Sequence, residues 1–389
     1  MISSYLTGSI AQMIERARAM TGNIPRNLPR TYDALAQTCR TNINTLIGQL
    51  KWLKDDSVFA NLLNQPERVR KFKRIVSELD FLETVALVAL KKAENEDHQL
   101  NALLDRACRE ISYPSPIPVV TTLSQNYFHI YPDLRLLCVP LIEGSFLLHL
   151  PDLYHELAHP LLSEVNDPLV EPFQKQFAST LRECLVYVRA EQTKNDRRNA
   201  PAKNRFMLRA WESSWAKFWL TEFYCDLFAV FVVGPAFAWS HLHLAVKRGG
   251  DAYGLPEFSP TSHPADDARM RAMLYGLELI GFSEDGKRIK QAWSQINESL
   301  GTRPEPEYSW CYPNELLKRI ASDTLAATRA INCQIVSTEG SSDTVGGCLN
   351  LAWNKFWADP AIFPQWEKSE VKRLFEFCLQ KAAHVATLT

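Results

Sequence analysis

The stretch LPDLYHELAHPLL, residues 150–162, carries two histidines four positions apart, with a glutamate directly after the first. Apolar residues in and just before this stretch recur at steps of three and four, which is the spacing of one helix face. They are Leu147, Leu150, Tyr154, Leu157 and Leu161. His155, Glu156 and His159 fall on the opposite face, so the pattern predicts an amphipathic helix with one chemically distinctive side.

The two histidines have the spacing of a metal-binding pair. Residues four apart on a helix project side by side, so the imidazoles of His155 and His159 can converge on one ion. Glu156 lies one position round the helix, where its carboxylate can take a proton from a zinc-activated water without binding the metal. The alternative is a surface helix with two solvated histidines. Pro160 removes a backbone donor directly after His159, so the helix is expected to kink or end there.

The second informative stretch is WESSWAKFWLTEFYCDLFAVFVV, residues 211–233, which is apolar on almost every face and therefore predicts a buried helix. One stripe at helical spacing contains Trp211, Trp215, Phe218, Glu222 and Asp226. Two carboxylates one turn apart in a buried helix cost several kcal/mol unless a cation accompanies them. An arginine or a lysine is one such cation. The other is a metal ion, with Glu222 as its third ligand and Asp226 orienting a ligating histidine.

HELAH (155–159) followed on a later helix by EFYCD (222–226) resembles the HExxH…ExxxD pattern of the gluzincin zinc metallopeptidases. The resemblance covers roughly residues 118–281. It implies a zincin-like metallopeptidase core, flanked by helical N- and C-terminal regions, with Glu156 as the general base. The residues implied to bind Zn²⁺ are His155, His159 and Glu222.

A third element, TSHPADDAR at residues 261–269, has the composition of a helix start. Thr261 or Ser262 is the candidate N-cap, with a proline and two aspartates in the first turn. SHP with an arginine six residues after the histidine is similar to an element of the CAAX prenyl endopeptidase family, a gluzincin subgroup. That resemblance implies that His263 faces the substrate carbonyl and that Arg269 pairs with a buried acid, with Asp226 as the candidate. The alternative for His263 is a capping histidine without a catalytic role.

Bulk composition narrows the functional classes. The chain has 389 residues, 46% of them hydrophobic, and a formal net charge of -1, which does not favour a nucleic-acid or membrane-surface protein. The nine cysteines are widely spaced without a CxxC pair. They favour free thiols in a reducing, cytoplasmic setting over a disulfide framework or a cysteine-based zinc site. The most apolar run, residues 227–246, contains Gly234 and Pro235 and predicts a buried helix with a break rather than a membrane span.

The period of the apolar residues divides the chain into three regions. Residues 1–112 predict a helical recognition or lid region, which is a candidate contact for a regulatory partner. Three prolines in YPSPIPVV, residues 113–120, mark the start of the predicted metallopeptidase core, residues 113–300. Residues 301–389 predict a helical C-terminal region.

The pattern changes to that of β-strands between residues 118 and 140. VVTTL and RLLCVP are short, apolar or β-branched, and bounded by Pro, Asn and Asp. The second of them is a candidate edge strand, which can bind an extended peptide through main-chain hydrogen bonds. The residues predicted for this substrate-binding strand are Arg135, Leu136, Leu137 and Cys138.

Together these features predict a mainly α fold with a small β-sheet beside the HExxH helix. The predicted function is that of a regulated intracellular zinc peptidase acting on a peptide or protein substrate, without nucleic acid and without a membrane span. Prenyl-peptide specificity is not carried over. Two alternatives are a zinc hydrolase of a non-peptide amide and a binding or effector scaffold with a structural zinc. Loss of the catalytic glutamate would have indicated the scaffold, and Glu156 is present.

Overall fold

The computed structural model has a mainly α fold with one small β-sheet, as the sequence predicted. The residues that it describes are 2–55, 57–60, 64–93, 97–124, 127–164, 167–198, 202–248, 250–339 and 343–386. The chain forms two compact units. Unit 1 consists of residues 1–101 and 116–141, and unit 2 of residues 102–115 and 142–389.

Unit 1 is built on helices whose apolar residues recur at helical spacing. They are α1 (Ile2–Gly22), α2 (Asp33–Asp55), α3 (Gln65–Phe81), a π segment (Leu82–Leu87), α4 (Val88–Lys92) and the first part of α5 (His98–Glu110). The buried residues of α2 include Leu35, Cys39, Ile43, Leu46 and Leu50. This stripe advances by three or four residues at a time, and α2 packs against α1.

The sheet lies in unit 1 and has three short strands. β1 (Val119–Thr121) pairs parallel with β3 (Leu136–Cys138), and β2 (His129–Tyr131) pairs antiparallel with β3. The strand order is therefore β1-β3-β2. All three residues of β3 are buried, whereas those of β2 are half-buried, which suits a central and an outer strand respectively.

The prediction of an edge strand at residues 135–138 is wrong. An edge strand keeps one row of free backbone groups, but Leu136–Cys138 pair with a neighbour on each side. Arg135 precedes the strand in a left-handed conformation, and its carbonyl accepts a hydrogen bond from the Val119 N–H at 2.8 Å. The composition of a strand indicates that it is buried but not which strands lie on either side of it. The central position of β3 could therefore not be predicted from the sequence.

Unit 2 surrounds one buried helix. Its helices after α5 are α6 (Asp152–Ser163), α7 (Glu171–Arg197), α8 (Ala202–Ser214), α9 (Leu220–Val233), α10 (Pro235–Arg248), α11 (Asp266–Leu279), α12 (Ser283–Leu300), α13 (Tyr308–Cys311), α14 (Asn314–Ala330), α15 (Val345–Ala358) and α16 (Phe363–Ala386). α9 packs against α6, α10, α11, α14 and α15. Every residue of α9 except Thr221 is buried, as expected for a helix that is apolar on all faces.

The division into units does not follow the boundaries expected after residues 112 and 300. The sheet belongs to unit 1 and the HExxH helix to unit 2. Residues 301–389 belong to the same unit as both motif helices. The physical reason is that α14 and α15 pack on α9, which needs cover on every side to remove its apolar surface from water.

α9 ends where the sequence predicted a break. Gly234 has φ 81 and ψ -148, a conformation that residues with a side chain avoid. Its N–H still donates to the Val230 carbonyl at 2.8 Å, which closes the last turn. α10 then begins at Pro235, whose missing N–H has no cost at the first position of a helix.

The helical stretch before α9 contains a π turn at Trp215–Trp219. The predicted buried stripe is wrong here, because Phe218 is 40% exposed whereas Trp219 is buried. A π turn closes its hydrogen bonds over five residues instead of four, so the buried face moves on by one position.

All nine cysteines are free and buried. Residues 227–246 form the end of α9 and most of α10. In the described part of the chain, no helix has both the length and the hydrophobicity needed to cross a bilayer.

Candidate metal centre

The two motif helices, α6 and α9, pack against each other. On α6, the ring centroids of His155 and His159 are 5.2 Å apart. On α9, Asp226 Oδ1 lies 2.8 Å from Nδ1 of His155, and Glu222 Oε2 lies 3.6 Å from Nε2 of the same ring. One imidazole is therefore next to both acids of the EFYCD motif.

α6 continues through its proline. The helix spans residues 152–163 and includes Pro160, so it does not end after His159. Pro160 has no N–H to donate to the carbonyl of Glu156, four residues earlier, and the helix lacks that one bond. Because the helix continues, His159 keeps its helical position one turn after His155.

Asp226 joins the histidine motif to the SHP…R element. The side chain is fully buried, and it accepts hydrogen bonds from Arg269 Nε and Nη2, both at 2.7 Å. Burial by itself would raise the pKa of Asp226, but Arg269 and His155 outweigh it and hold that pKa well below its usual range. The carboxylate is therefore ionised and fixes the orientation of the His155 ring through Nδ1.

Close helix packing brings Arg269 to this position. A Cβ added at Gly276 on α11 would lie 2.9 Å from Leu227 Cδ2 and 3.3 Å from Phe231 Cε1, so a larger residue there would force these side chains of α9 to shift. Arg269 lies two turns before Gly276 on the same helix, and it meets Asp226, one residue before Leu227.

The surrounding acids set the charge of the two histidines. Burial lowers the pKa of His155, but Asp226, Glu222 and Glu156 outweigh it and raise this pKa to about 9. Burial, together with the neighbouring His155, lowers the pKa of His159 to about 4. At neutral pH the pair therefore carries one positive charge, on the His155 imidazolium, whereas His159 is neutral. A metal ion that binds Nε2 of His155 displaces the proton on that nitrogen.

Glu222 Oε2 has three nitrogen neighbours beyond hydrogen-bonding distance. They are His155 Nε2 at 3.6 Å, His263 Nε2 at 3.6 Å and Arg269 Nη2 at 3.7 Å. Hydrogen bonds of this kind measure about 2.7–3.2 Å. Two ligand atoms on a tetrahedral zinc, with bonds of about 2.0–2.1 Å, are about 3.4 Å apart. The separation of His155 Nε2 from Glu222 Oε2 therefore fits two ligands of one ion.

Sequence reasoning missed one residue of the centre, Cys225 on α9. Among the described residues, the group of three metal-binding side chains whose ligand atoms all lie within 4.8 Å of one another is His155, His159 and Cys225. Glu222, the predicted third ligand, is not in this group. The available signal was helical spacing, because Cys225 follows Glu222 by three positions. Burial, followed by the charges of Glu222 and Asp226, raises the pKa of Cys225 far above its usual range.

Glu156 is buried on α6, directly after His155. Its charge adds to those of Asp226 and Glu222 in raising the pKa of His155. It also contributes, after burial and the two acids of α9, to the raised pKa of Cys225. The carboxylate is therefore within electrostatic range of ligand candidates on both helices.

His263 lies in the loop before α11 rather than at a helix terminus. α11 begins at Asp266 with Ala265 as its N-cap, so the predicted caps Thr261 and Ser262 are wrong. Their hydroxyls act inside the loop instead. Thr261 Oγ1 donates to the His263 carbonyl at 3.1 Å, and Ser262 Oγ lies 2.9 Å from His263 Nδ1.

Two indole groups hold this loop to the helical stretch before α9. Trp211 Nε1 donates to the Pro256 carbonyl at 3.1 Å, and Trp219 Nε1 donates to Thr261 Oγ1 at 3.1 Å. The His263 side chain is 62% exposed although its Nε2 is near Glu222. His263 is therefore on the open side of the centre, where a ligand from solvent can reach it.

A cavity of about 480 Å³ opens beside His263. Its polar lining includes His241, Asp251, Asp266 and Arg269, and its apolar lining includes Leu244, Leu255 and Pro264. Ligand sites of small molecules and peptide side chains have volumes of this order, about 300–1,000 Å³.

The structure brings together most of the residues predicted for the site. Those gathered in unit 2 are His155, Glu156, His159, Glu222, Asp226, His263 and Arg269. The predicted substrate strand, residues 135–138, belongs to unit 1. No family model, curated protein or solved structure matches the chain.

Proposed function

We propose that this chain is a zinc-dependent peptidase of the gluzincin type. The observation that supports it best is the set of contacts made by Asp226. This buried carboxylate hydrogen-bonds His155 from 71 positions earlier in the chain and Arg269 from 43 positions later. Three sequence elements that resemble one peptidase pattern thus meet at one side chain. A structural ion pair explains Asp226 and Arg269, but it does not explain two histidines and Glu222 beside them.

The donor set fits zinc. Two imidazole nitrogens and a carboxylate form one of the ligand sets of catalytic zinc sites, and here they are His155, His159 and Glu222. When bound, zinc supplies a Lewis acid that polarises the substrate carbonyl and lowers the pKa of a water molecule. Asp226 keeps Nδ1 of His155 occupied, so that Nε2 is the atom available to a metal ion.

Glu156 transfers the protons in this mechanism, and His263 stabilises the negative charge that develops on the substrate. Glu156 takes a proton from the attacking water and then gives it to the leaving amine nitrogen of the peptide. His263 donates an N–H hydrogen bond to the oxyanion that forms on the carbonyl. The cavity that His263 lines would receive part of an extended peptide beside this imidazole. A recognition or lid role for residues 1–112 stays a prediction.

The purified protein is expected to hold about one zinc ion per chain. A His155→Ala, His159→Ala double variant is expected to lose it, because both imidazole ligands are absent. Glu222→Gln is expected to weaken binding while sparing the fold, since the amide fits the same buried space. Glu222→Ala is expected to lose most of the metal and some stability. Elemental analysis measures each case. His98→Ala, at an exposed histidine of α5, is the control. Stoichiometric zinc in the double variant would contradict the site.

His263→Ala is expected to lower kcat by roughly 10²–10³ with little change in KM, because the oxyanion forms only in the transition state. Zinc content is expected to stay unchanged, since His263 lies outside the two helices that hold the ligands. Steady-state kinetics on a cleaved peptide, with elemental analysis beside it, measures both quantities. Loss of zinc would make His263 a ligand and displace Glu222 from that role. Unchanged zinc and unchanged kcat would leave His263 as a loop residue only.

The substrate class is tested in cells that produce either the wild type or Glu156→Gln. New protein N-termini are identified by mass spectrometry, and they are expected only with the wild type, because only a peptidase creates them. Glu171→Gln, an exposed glutamate at the start of α7, makes the same chemical change outside the site and is the control. Identical N-termini in all samples, with zinc retained, would favour a non-peptide hydrolase or a structural zinc scaffold.

A further inference from the structure

We propose that Cys225 supplies a fourth protein ligand to the metal ion, and that its thiolate occupies the coordination position that a reacting water needs. The inference rests on the metal centre of the proposed function. It adds a residue that the HExxH…ExxxD pattern does not contain, and with it a closed form of the site.

The geometry of the cluster supports a shared ion. The ligand atoms of His155, His159 and Cys225 all lie within 4.8 Å of one another. A zinc ion with a bond of about 2.3 Å to sulfur and about 2.0–2.1 Å to nitrogen holds these atoms about 3.5 Å apart. Each pair of these atoms therefore needs to approach by no more than about 1.3 Å to reach bonding positions.

The position of Cys225 on α9 favours ligation beside Glu222. The two residues are three positions apart on one face of α9. The Cys225 sulfur is within 4.8 Å of a ring nitrogen of both histidines, and Glu222 Oε2 lies 3.6 Å from His155 Nε2. Most buried cysteines are inert core residues. Cys184 on α7 is equally buried, but among the described residues it belongs to no cluster of three metal-binding groups.

The number of protein ligands decides what the centre can do. Zinc sites with four protein ligands are closed, whereas catalytic sites have three and keep one position for water. Ligation by Cys225 breaks its S–H bond, releases the proton to solvent and forms a sulfur–metal bond, without an oxidant or a reductant. A cation at this distance favours the thiolate, which burial alone does not. Ligation by His155, His159, Glu222 and Cys225 then leaves no position for water. This is a resting form, and the proposed hydrolysis proceeds only from the form in which the Cys225 sulfur has left the metal and taken up a proton again.

Cobalt(II) provides a test that does not depend on activity. The metal-free protein is titrated with Co²⁺, and absorption is recorded in the near-ultraviolet and the visible range. We expect a sulfur-to-cobalt charge-transfer band that saturates at about one cobalt per chain. Cys225→Ala is expected to lose this band while keeping the visible bands of bound cobalt. Cys225→Ser is the second variant, for the case that alanine disturbs the packing of α9.

The controls attribute the band to this centre. Cys184→Ala removes another buried thiol and is expected to keep the band, whereas the His155→Ala, His159→Ala double variant is expected to lose it. Cobalt that binds stoichiometrically without a charge-transfer band, or a band that survives in both Cys225 variants, would overturn the role of Cys225 alone. Absence of stoichiometric cobalt in the wild type would overturn the metal centre itself, and the proposed function with it.

Discussion

Replacing Glu156 by glutamine is expected to lower kcat/KM for peptide hydrolysis by about 10³-fold or more, with zinc content unchanged. General acid–base catalysis contributes about 10²–10⁴-fold. In the proposed mechanism Glu156 transfers a proton twice, from the water and to the leaving nitrogen. Glutamine has nearly the same shape but cannot take a proton. The variant therefore removes the chemistry and leaves the buried packing of α6 in place. Steady-state kinetics on a peptide cleaved by the wild type gives the number.

The comparison needs proof that only the base has changed. Elemental analysis and far-ultraviolet circular dichroism are expected to match the wild type. Glu171→Gln, the exposed control on α7, is expected to cleave as fast as the wild type. A Glu156→Gln protein that cleaves at the wild-type rate would show that the centre does not work as this type of peptidase.

Asp226 and Arg269 are expected to be strongly coupled in stability. Asp226 is fully buried and the Arg269 side chain is 12% exposed, and two hydrogen bonds of 2.7 Å join them. Removing either partner leaves the other buried charge without its two 2.7 Å hydrogen bonds, and breaking a buried ion pair in this way typically lowers the free energy of unfolding by about 3–5 kcal/mol. Asp226→Asn and Arg269→Met are each expected to lose about this amount. The double variant is expected to lose much less than the sum.

Thermal or denaturant unfolding of all four proteins, with a chelator present so that metal loss adds nothing, measures the coupling. Arg70→Met is the control, because Arg70 pairs with Glu67 and 74% of the arginine side chain and 47% of the glutamate side chain are exposed. Such pairs contribute about 0–1 kcal/mol. If the losses of Asp226→Asn and Arg269→Met simply add, the contact seen between them does not stabilise the fold.

Local spacing was enough to predict the motif helices. The four-residue step from His155 to His159 gave a helical pair, and the all-round hydrophobicity of residues 211–233 gave a buried helix with acids that need a cation. The contact of Asp226 with Arg269 also followed, because a buried carboxylate requires a partner and the SHP…R resemblance supplied one. The two helices follow from neighbours along one stretch of chain, whereas the choice of Arg269 as the partner of Asp226 also required the resemblance.

The features that could not be predicted from the sequence depend on residues far apart in the chain. The central position of β3 depends on which strands pair with it, and its own three apolar residues do not encode that. Ala265 became the N-cap because the hydroxyls before it bond within the loop that carries His263. The spacing of the cysteines from one another does not single out Cys225. Its partners are histidines on another helix, 66 and 70 positions away by number.

The π turn at Trp215–Trp219 makes the length of that segment as consequential as its composition. Deleting one residue there would restore an α turn and rotate everything upstream by about 100° relative to α9. Trp211 would then point away from the Pro256 carbonyl, while Glu222 kept its side of α9. A one-residue insertion or deletion in this segment would therefore rotate the upstream helix relative to α9. The π turn allows two parts of one continuous helical segment to face different neighbours. The part before the turn contacts the loop that carries His263, and the part after it contacts the imidazoles of α6.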